Sequence, residues 1–365
     1  RWALSGEILS VVSISPEASA EELISSLPLD AHESQHLQVL FKQTALAPQR
    51  RLSTVEGLIE YAEVAVVKRP PLLAVLGCDG VTVALWKPEL GASPEILTNV
   101  ASTVPPGALS LSPSSDASKL LVGYPQGLAR LLCLEPKRCK VFSAVLCGAV
   151  LSVAISPCGT YCITGYANCT ARVWSVEKET CVKALCRHSG SVLAVCLSRD
   201  AETAVTGSSD ELAKIWSVRT GSCSQILRGH TGIVTSVSFT EDQRVVTGSF
   251  DGSIKVWHSD SGMCEMTLSG HAPILTLAVC LVENLVLTGS LDGRCRLWAL
   301  STRASQVFEA GEAVRSVAIS RDGCHILCGD ADGSCKFWNR KTEKCRQISL
   351  QRGEPILSVM LHSLE

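Results

Sequence analysis

The chain has 365 residues, 46% of them apolar, with a formal charge of −2. That length and apolar share are ample for a large core, and ordinary glycine and proline usage excludes wholesale disorder. The charge gives no electrostatic pull toward nucleic acid or an anionic membrane. No apolar run approaches the roughly 20 residues that span a bilayer, and no signal-peptide pattern is present.

The chain opens on Arg1 rather than Met, so the expectation is a fragment or processed piece, with any targeting signal upstream. Residues 1–60 read as an irregular segment. Ile8 to Ile14 has the look of a strand, and Ser19-Ala20-Glu21-Glu22 has the form of a capping box that opens a short helix to about Ser26, stopped by Pro28. Leu37 to Phe41 reads as a strand, and Pro48 to Arg51 as a polar, basic loop.

From 61 to 350 one unit is repeated, and it is fullest from Gly229 to Trp257. Val234, Val237 and Phe239 give a first strand its apolar character. Val245 to Thr247 form a second and Ile254 to Trp257 a third, with Asp251-Gly252 as the tight turn between them. Gly77, Gly165, Gly207, Gly248, Gly289 and Gly329 each stand nine residues before a tryptophan: Trp86, Trp174, Trp216, Trp257, Trp298 and Trp338. The same rule applied to Gly123 lands on Leu132, a copy that keeps its strand and has lost its tryptophan. Seven units of about 40 residues, each of four short strands, predict an all-β propeller. Gly353 to Leu361 again has the look of a first strand. Residues 351–365 are therefore expected to start a further blade, and 8–14 with 355–361 to contribute to an eighth blade or a neighbouring propeller.

The 18 cysteines do not read as a framework. Cys181, Cys223, Cys264 and Cys345 recur at one strand start, and Cys162, Cys196, Cys280 and Cys328 stand where other copies carry apolar or small residues. Free cysteine behaves in this way as a small core hydrophobe. No second Cys or His pair accompanies Cys158/Cys162 or Cys324/Cys328 at zinc-site spacing. No metal and no cofactor is expected, and reduced thiols point to a cytoplasmic protein, with the nucleus as the open alternative.

Gly229-His230, Asp251 and Trp257 resemble the signature of the WD40 repeat, over about 61–350, although the Trp-Asp pair itself is nowhere intact. The resemblance implies a buried chain of hydrogen bonds in each blade. It is complete in three: His188/Thr206/Asp210/Trp216, His230/Thr247/Asp251/Trp257 and His271/Thr288/Asp292/Trp298. The Trp174 copy has Thr164 and Asn168 but no histidine. The Trp338 copy has Asp332, with Cys328 for the hydroxyl and Ala310 for the histidine, and the first two copies keep almost none of the set. The middle blades are accordingly expected to be the most rigid.

Thr, His and Asp together suggest a nucleophilic triad, but a network repeated three times between strands is better read as a fixed polar framework. No P-loop, HExxH or GxSxG pattern appears, so catalysis is not expected. The reading is a protein-interaction scaffold. A reader of RNA or modified lysine is the alternative of another class, disfavoured by the lack of a basic stripe or aromatic cage. In style the chain also resembles the propeller part of larger proteins with a NACHT or NB-ARC nucleotide-binding engine, where the propeller senses a ligand and restrains assembly. Other domains of the same longer chain would then be partners. Family resemblance places partner contacts at the residue before the turn aspartate, Ser209, Phe250, Leu291 and Ala331, and beside the first-strand valine. The latter are Ser191 and Leu193, Ile233 and Thr235, Ile274 and Thr276, Ala313 and Arg315. Among them Phe250, Leu291, Ile233, Ile274, Arg315, Leu193, Thr235 and Thr276 form the expected apolar, Arg-rimmed docking patch.

Overall fold

The computed structural model describes residues 109–362, apart from 115–118, 134–137, 145, 271, 281, 343 and 350–355. Upstream of these it describes the backbone of strands at 37–41, 44–45, 65–68, 73–78, 82–86 and 95–96. The chain divides into two units, 1–71 with 363–365, and 72–362. In the first, the strand expected at Leu37–Phe41 is present and pairs antiparallel with Thr44–Ala45 on one side and Ala65–Lys68 on the other. The strand expected at 8–14 and the helix at 19–26 lie outside the described residues.

The second unit consists of seven four-stranded antiparallel sheets. Blade 2 runs over 110–143, blade 3 over 150–185, blade 4 over 192–227, blade 5 over 234–268, blade 6 over 274–309 and blade 7 over 314–349. Blade 1 takes Leu73–Cys78, Thr82–Trp86 and Glu95–Ile96 from one end of the unit and Ile356–His362 from the other. In it Ile356 faces Cys78 and His362 faces Leu73. The expectation that this last segment begins a further blade is therefore corrected: it is the missing first strand of the first blade. The first strands of successive blades lie against one another all the way round, Ile356–His362 against Ser110–Pro113 included.

Each neighbouring pair of blades has its own core. Ile163 and Val173 of blade 3, for example, pack with Val192, Val195 and Trp216 of blade 4. The glycine nine before each tryptophan explains how closely blades approach. A Cβ on Gly123, Gly165, Gly207, Gly248, Gly289 or Gly329 would come within 3.0 Å of Val150, Val192, Val234, Ile274, Val314 or Ile356 of the next blade. Glycine weakens a strand by roughly 0.5–1 kcal/mol, and the branched side chain seated in its place restores contact across the blade interface. Ile356 occupies this seat on Gly329 as the valines do elsewhere.

Candidate partner-binding face and the network beneath it

Strand pairing brings each second-strand threonine beside the third-strand tryptophan, and the loop entering the blade lays a histidine over both. In blade 4, Trp216 Nε1 donates to Thr206 Oγ1 at 2.8 Å, which lies 2.7 Å from His188 Nε2, and His188 Nδ1 lies 2.8 Å from Asp210 Oδ2. In blade 5 the same distances, Trp257 to Thr247 to His230 to Asp251, are 2.9, 2.7 and 2.9 Å. A carboxylate only accepts, so Nδ1 carries the proton and Nε2 receives the threonine hydroxyl. Burial lowers both imidazole pKa values below 6.5, outweighing the aspartates. Burial would raise Asp251, but Ser253, the Thr231 N–H and His230 together hold it at about 2. The blade thus contains a neutral imidazole against an ionised carboxylate. In blade 6, Trp298 Nε1 donates to Thr288 Oγ1 at 3.2 Å and Ser290 Oγ donates to Asp292. His271 lies outside the described residues. Thr206, Thr247 and Thr288 are fully buried, a position in which a hydroxyl meets no substrate.

Blade 3 solves the loss of its histidine in a way the sequence reading missed. Thr164 Oγ1 accepts from Trp174 Nε1 at 2.8 Å and donates to Tyr166 Oη at 3.0 Å. Tyr166 stands where blades 4 to 6 have Ser208, Ser249 and Ser290, and its phenol replaces the imidazole as the threonine's partner. Leu146, aligned with His188, is turned out and 95% exposed. The legible signal was the aromatic residue directly after the glycine, at Tyr166 and again at Tyr124. In blade 2 the threonine and tryptophan are Val122 and Leu132, and the buried Tyr124 hydroxyl has no hydrogen-bond partner.

A second repeated device closes the turn between first and second strands at the other end of the blades. Ser198 Oγ donates to Asp200 and Ser320 Oγ to Asp322, each at 2.5 Å, and Thr240 Oγ1 donates to Asp242. In blade 3 the place of that aspartate is taken by Cys158, whose Sγ lies 3.3 Å from Ser156 Oγ and 2.9 Å from Thr160 Oγ1.

Above the network, the turn residue of blades 4, 5 and 6 is pinned to the loop entering its blade. Phe250 N donates to Ile233 O at 2.9 Å, Leu291 N to Pro273 O at 3.0 Å and Ser209 N to Ser191 O at 3.0 Å. Phe250 is 43% and Leu291 48% exposed. Leu193, Ile233, Thr235 and Thr276 are half-buried, and Thr235 Oγ1 donates across the blade boundary to Ile274 O at 2.8 Å. Arg315 is exposed and has no ion-pair partner among the described residues. Ile274 is corrected: it is fully buried and pairs with Ser290 as Val234 pairs with Ser249, so it is the seat-filling residue on Gly248. Pro273 holds the surface position instead. The loop is one residue shorter here than before Val234, so both blade 6 expectations slip by one. Thr276 is corrected too, since it pairs with Gly289 as Ser236 pairs with Gly248, and Leu275 stands where Thr235 does.

Seven sheets closed through their first strands, two of them tied internally by a complete Trp–Thr–His–Asp chain, define a β-propeller built from signature-bearing repeats. Residues 138–175, 179–217, 221–258, 262–299 and 303–339 match the WD40 family, described as "WD domain, G-beta repeat", and the chain belongs to that family. Each matched segment starts near the outer strand of one blade and ends at or just past the third strand of the next. A comparison with curated proteins finds no match. WD40 propellers serve in general as non-enzymatic scaffolds for protein partners. Among the described residues no group of three or more His, Cys, Asp or Glu is placed to hold a metal, and no helix is long and apolar enough to cross a membrane.

Proposed function

We propose that this propeller docks a protein segment on the face around Phe250, with Ile233 and Leu291 beside it and Arg315 pairing a carboxylate of the partner. Leu193 and Thr235 line the same face. The observation that carries this reading is the exposure of Phe250 on a turn whose backbone is fixed from below by Asp251 and from the side by Ile233 O. Turn tips are ordinarily polar because water solvates them at no cost. An apolar side chain on a rigid tip, with an exposed arginine two blades further round, has the composition of an interface hot spot.

The test selects binding peptides from a random library on the wild-type protein. Selected peptides should share an apolar residue near an acidic one. Phe250→Asp should weaken them by about 30-fold or more, the size expected of a hot-spot residue. Arg315→Glu should shift the preference from acidic to basic residues, and both variants should melt as the wild type does. Equal binding by Phe250→Asp would remove this face as the site.

A further inference from the structure

Blade 7 lacks the imidazole that holds the turn aspartate in blades 4 and 5. Ala310, buried, stands in its place. The compensating change is one strand away: the residue after Gly329 is Asp330, where blades 4, 5 and 6 have Ser208, Ser249 and Ser290. Asp330 is 3% exposed. Asp330 Oδ1 and Asp332 Oδ1 both receive the N–H of Ser334, at 2.8 and 3.0 Å. A Cβ on Gly311 would lie 3.8 Å from Asp330 Oδ2, so the carboxyl sits under the loop that elsewhere carries the histidine. Two carboxyl groups converging on one backbone donor do not both ionise readily, and a proton retained between them removes the repulsion.

We propose that one proton shared between Asp330 and Asp332 replaces the missing histidine as the latch on the blade 7 turn, and that its loss as pH rises releases that turn.

The electrostatics agree with the geometry. Burial raises Asp330, and the adjacent Asp332 raises it further, to about 7, whereas accepting from Asp330 lowers Asp332. The charged and titratable groups on the elements packed around the pair are Arg315 on the first strand, His325 and the buried Cys328 on the second, and the buried Cys335 and Lys336 on the third. Glu309 and Glu312 flank the entering loop, and His362 ends the first strand of blade 1. Lys336 Nζ is committed to Glu309 O at 3.1 Å. A carboxyl whose folded pKa is raised contributes stability that is full below its unfolded value near 4 and is lost as pH rises through 7. The His–Asp blades carry the opposite sign, so blade 7 loosens on the alkaline side and blades 4 and 5 on the acid side. Docking on the Phe250 face is not required for this.

Amide hydrogen exchange of the 365-residue chain, expressed as protection factors so that the intrinsic pH dependence cancels, tests the latch. Protection of residues 331–334 should fall roughly fourfold between pH 6.5 and 8, while residues 251–253 of blade 5 stay level. Asp330→Asn keeps a donor toward Asp332 without a titrating proton and should abolish the fall. A level wild-type profile, or the same fall in Asp330→Asn, overturns the proposal. If Asp330→Asn does not fold, carboxyl-carbon NMR on the wild type decides: a buried carboxyl titrating near neutrality supports the shared proton, and titration of every carboxyl below pH 5 refutes it.

Discussion

Neutral His188 and His230 each give one proton to a carboxylate and take one from a threonine, so protonation at Nε2 would set two donors against each other. Their folded pKa values are lowered by burial, and a lowered value means that stability is present above the unfolded pKa of about 6.5 and is lost as pH falls through the folded one. We expect the difference in urea midpoint between wild type and His230→Gln to narrow as pH drops below about 6.5. A constant difference down to pH 4.5 would show that the folded imidazole is not neutral. Removing the acceptor instead, by Asp251→Ala, strands His230 and loosens the turn, at a cost of about 1–3 kcal/mol. Gln126→Ala, on the exposed turn of blade 2, should cost little, and equal melting temperatures for the two variants would deny the network a structural role. Cys158 is the thiol with a separate prediction. Burial alone would raise it, but the hydroxyls of Ser156 and Thr160 hold it below its ordinary value, where burial pushes Cys139 and Cys345 up. At pH 7 it should be alkylated by iodoacetamide ahead of both, because the thiolate is the nucleophile. Mass spectrometry after partial labelling would count against the reading if Cys139 or Cys345 led.

Blades are held apart by the thickness of one glycine. The Cβ of a Gly207→Ala variant would meet Val234 Cγ1 at 2.7 Å and Val234 O at 3.2 Å, and overpacking of this kind costs about 1–3 kcal/mol. Shortening the intruding side chain makes room, so Gly207→Ala with Val234→Ala should lose less stability than the two single changes added together. Strict additivity in urea denaturation would place the strain elsewhere. This contact is also why the fold was legible. A glycine that must be a glycine, nine residues before a tryptophan, marks every blade even where the tryptophan is gone, as at Leu132. The polar chain was legible for the same reason, since hydrogen bonding fixes residue type as well as spacing. Tyr166 was missed because its role passes from one side-chain chemistry to another at a different sequence position. Ile274 was misplaced because a loop tolerates the loss of a residue that a strand does not. Asp200, Asp242 and Asp322 were overlooked because a short acidic turn looks like any solvated loop.

A ring of sheets must be closed by something, and here the two ends of the second unit share blade 1. Sequence pattern could identify Ile356–His362 as a first strand but could not say of which blade, because its partner lies 278 residues away (356 − 78). The length-dependent entropy of closing such a loop is about 5 kcal/mol. Against it stand the ladder with Leu73–Cys78, the seat of Ile356 on Gly329, and two hydrogen bonds from this strand to its neighbours. Val359 N donates to Ser316 Oγ at 2.9 Å on the blade 7 side, and Ser358 Oγ donates to Leu111 O at 3.3 Å on the blade 2 side. Ile356→Asp places a charge in a fully buried apolar seat and should open the ring there rather than in the middle of the chain. Its expected signature is loss of amide protection at 73–78, 110–113 and 314–319, with 192–197 and 234–239 still protected. Val234→Asp, the equivalent change within the ring, should instead expose blades 4 and 5, where no chain end is available to part. If both variants lose protection uniformly, the propeller unfolds as one cooperative unit, and the closing strand is no weaker a joint than any other.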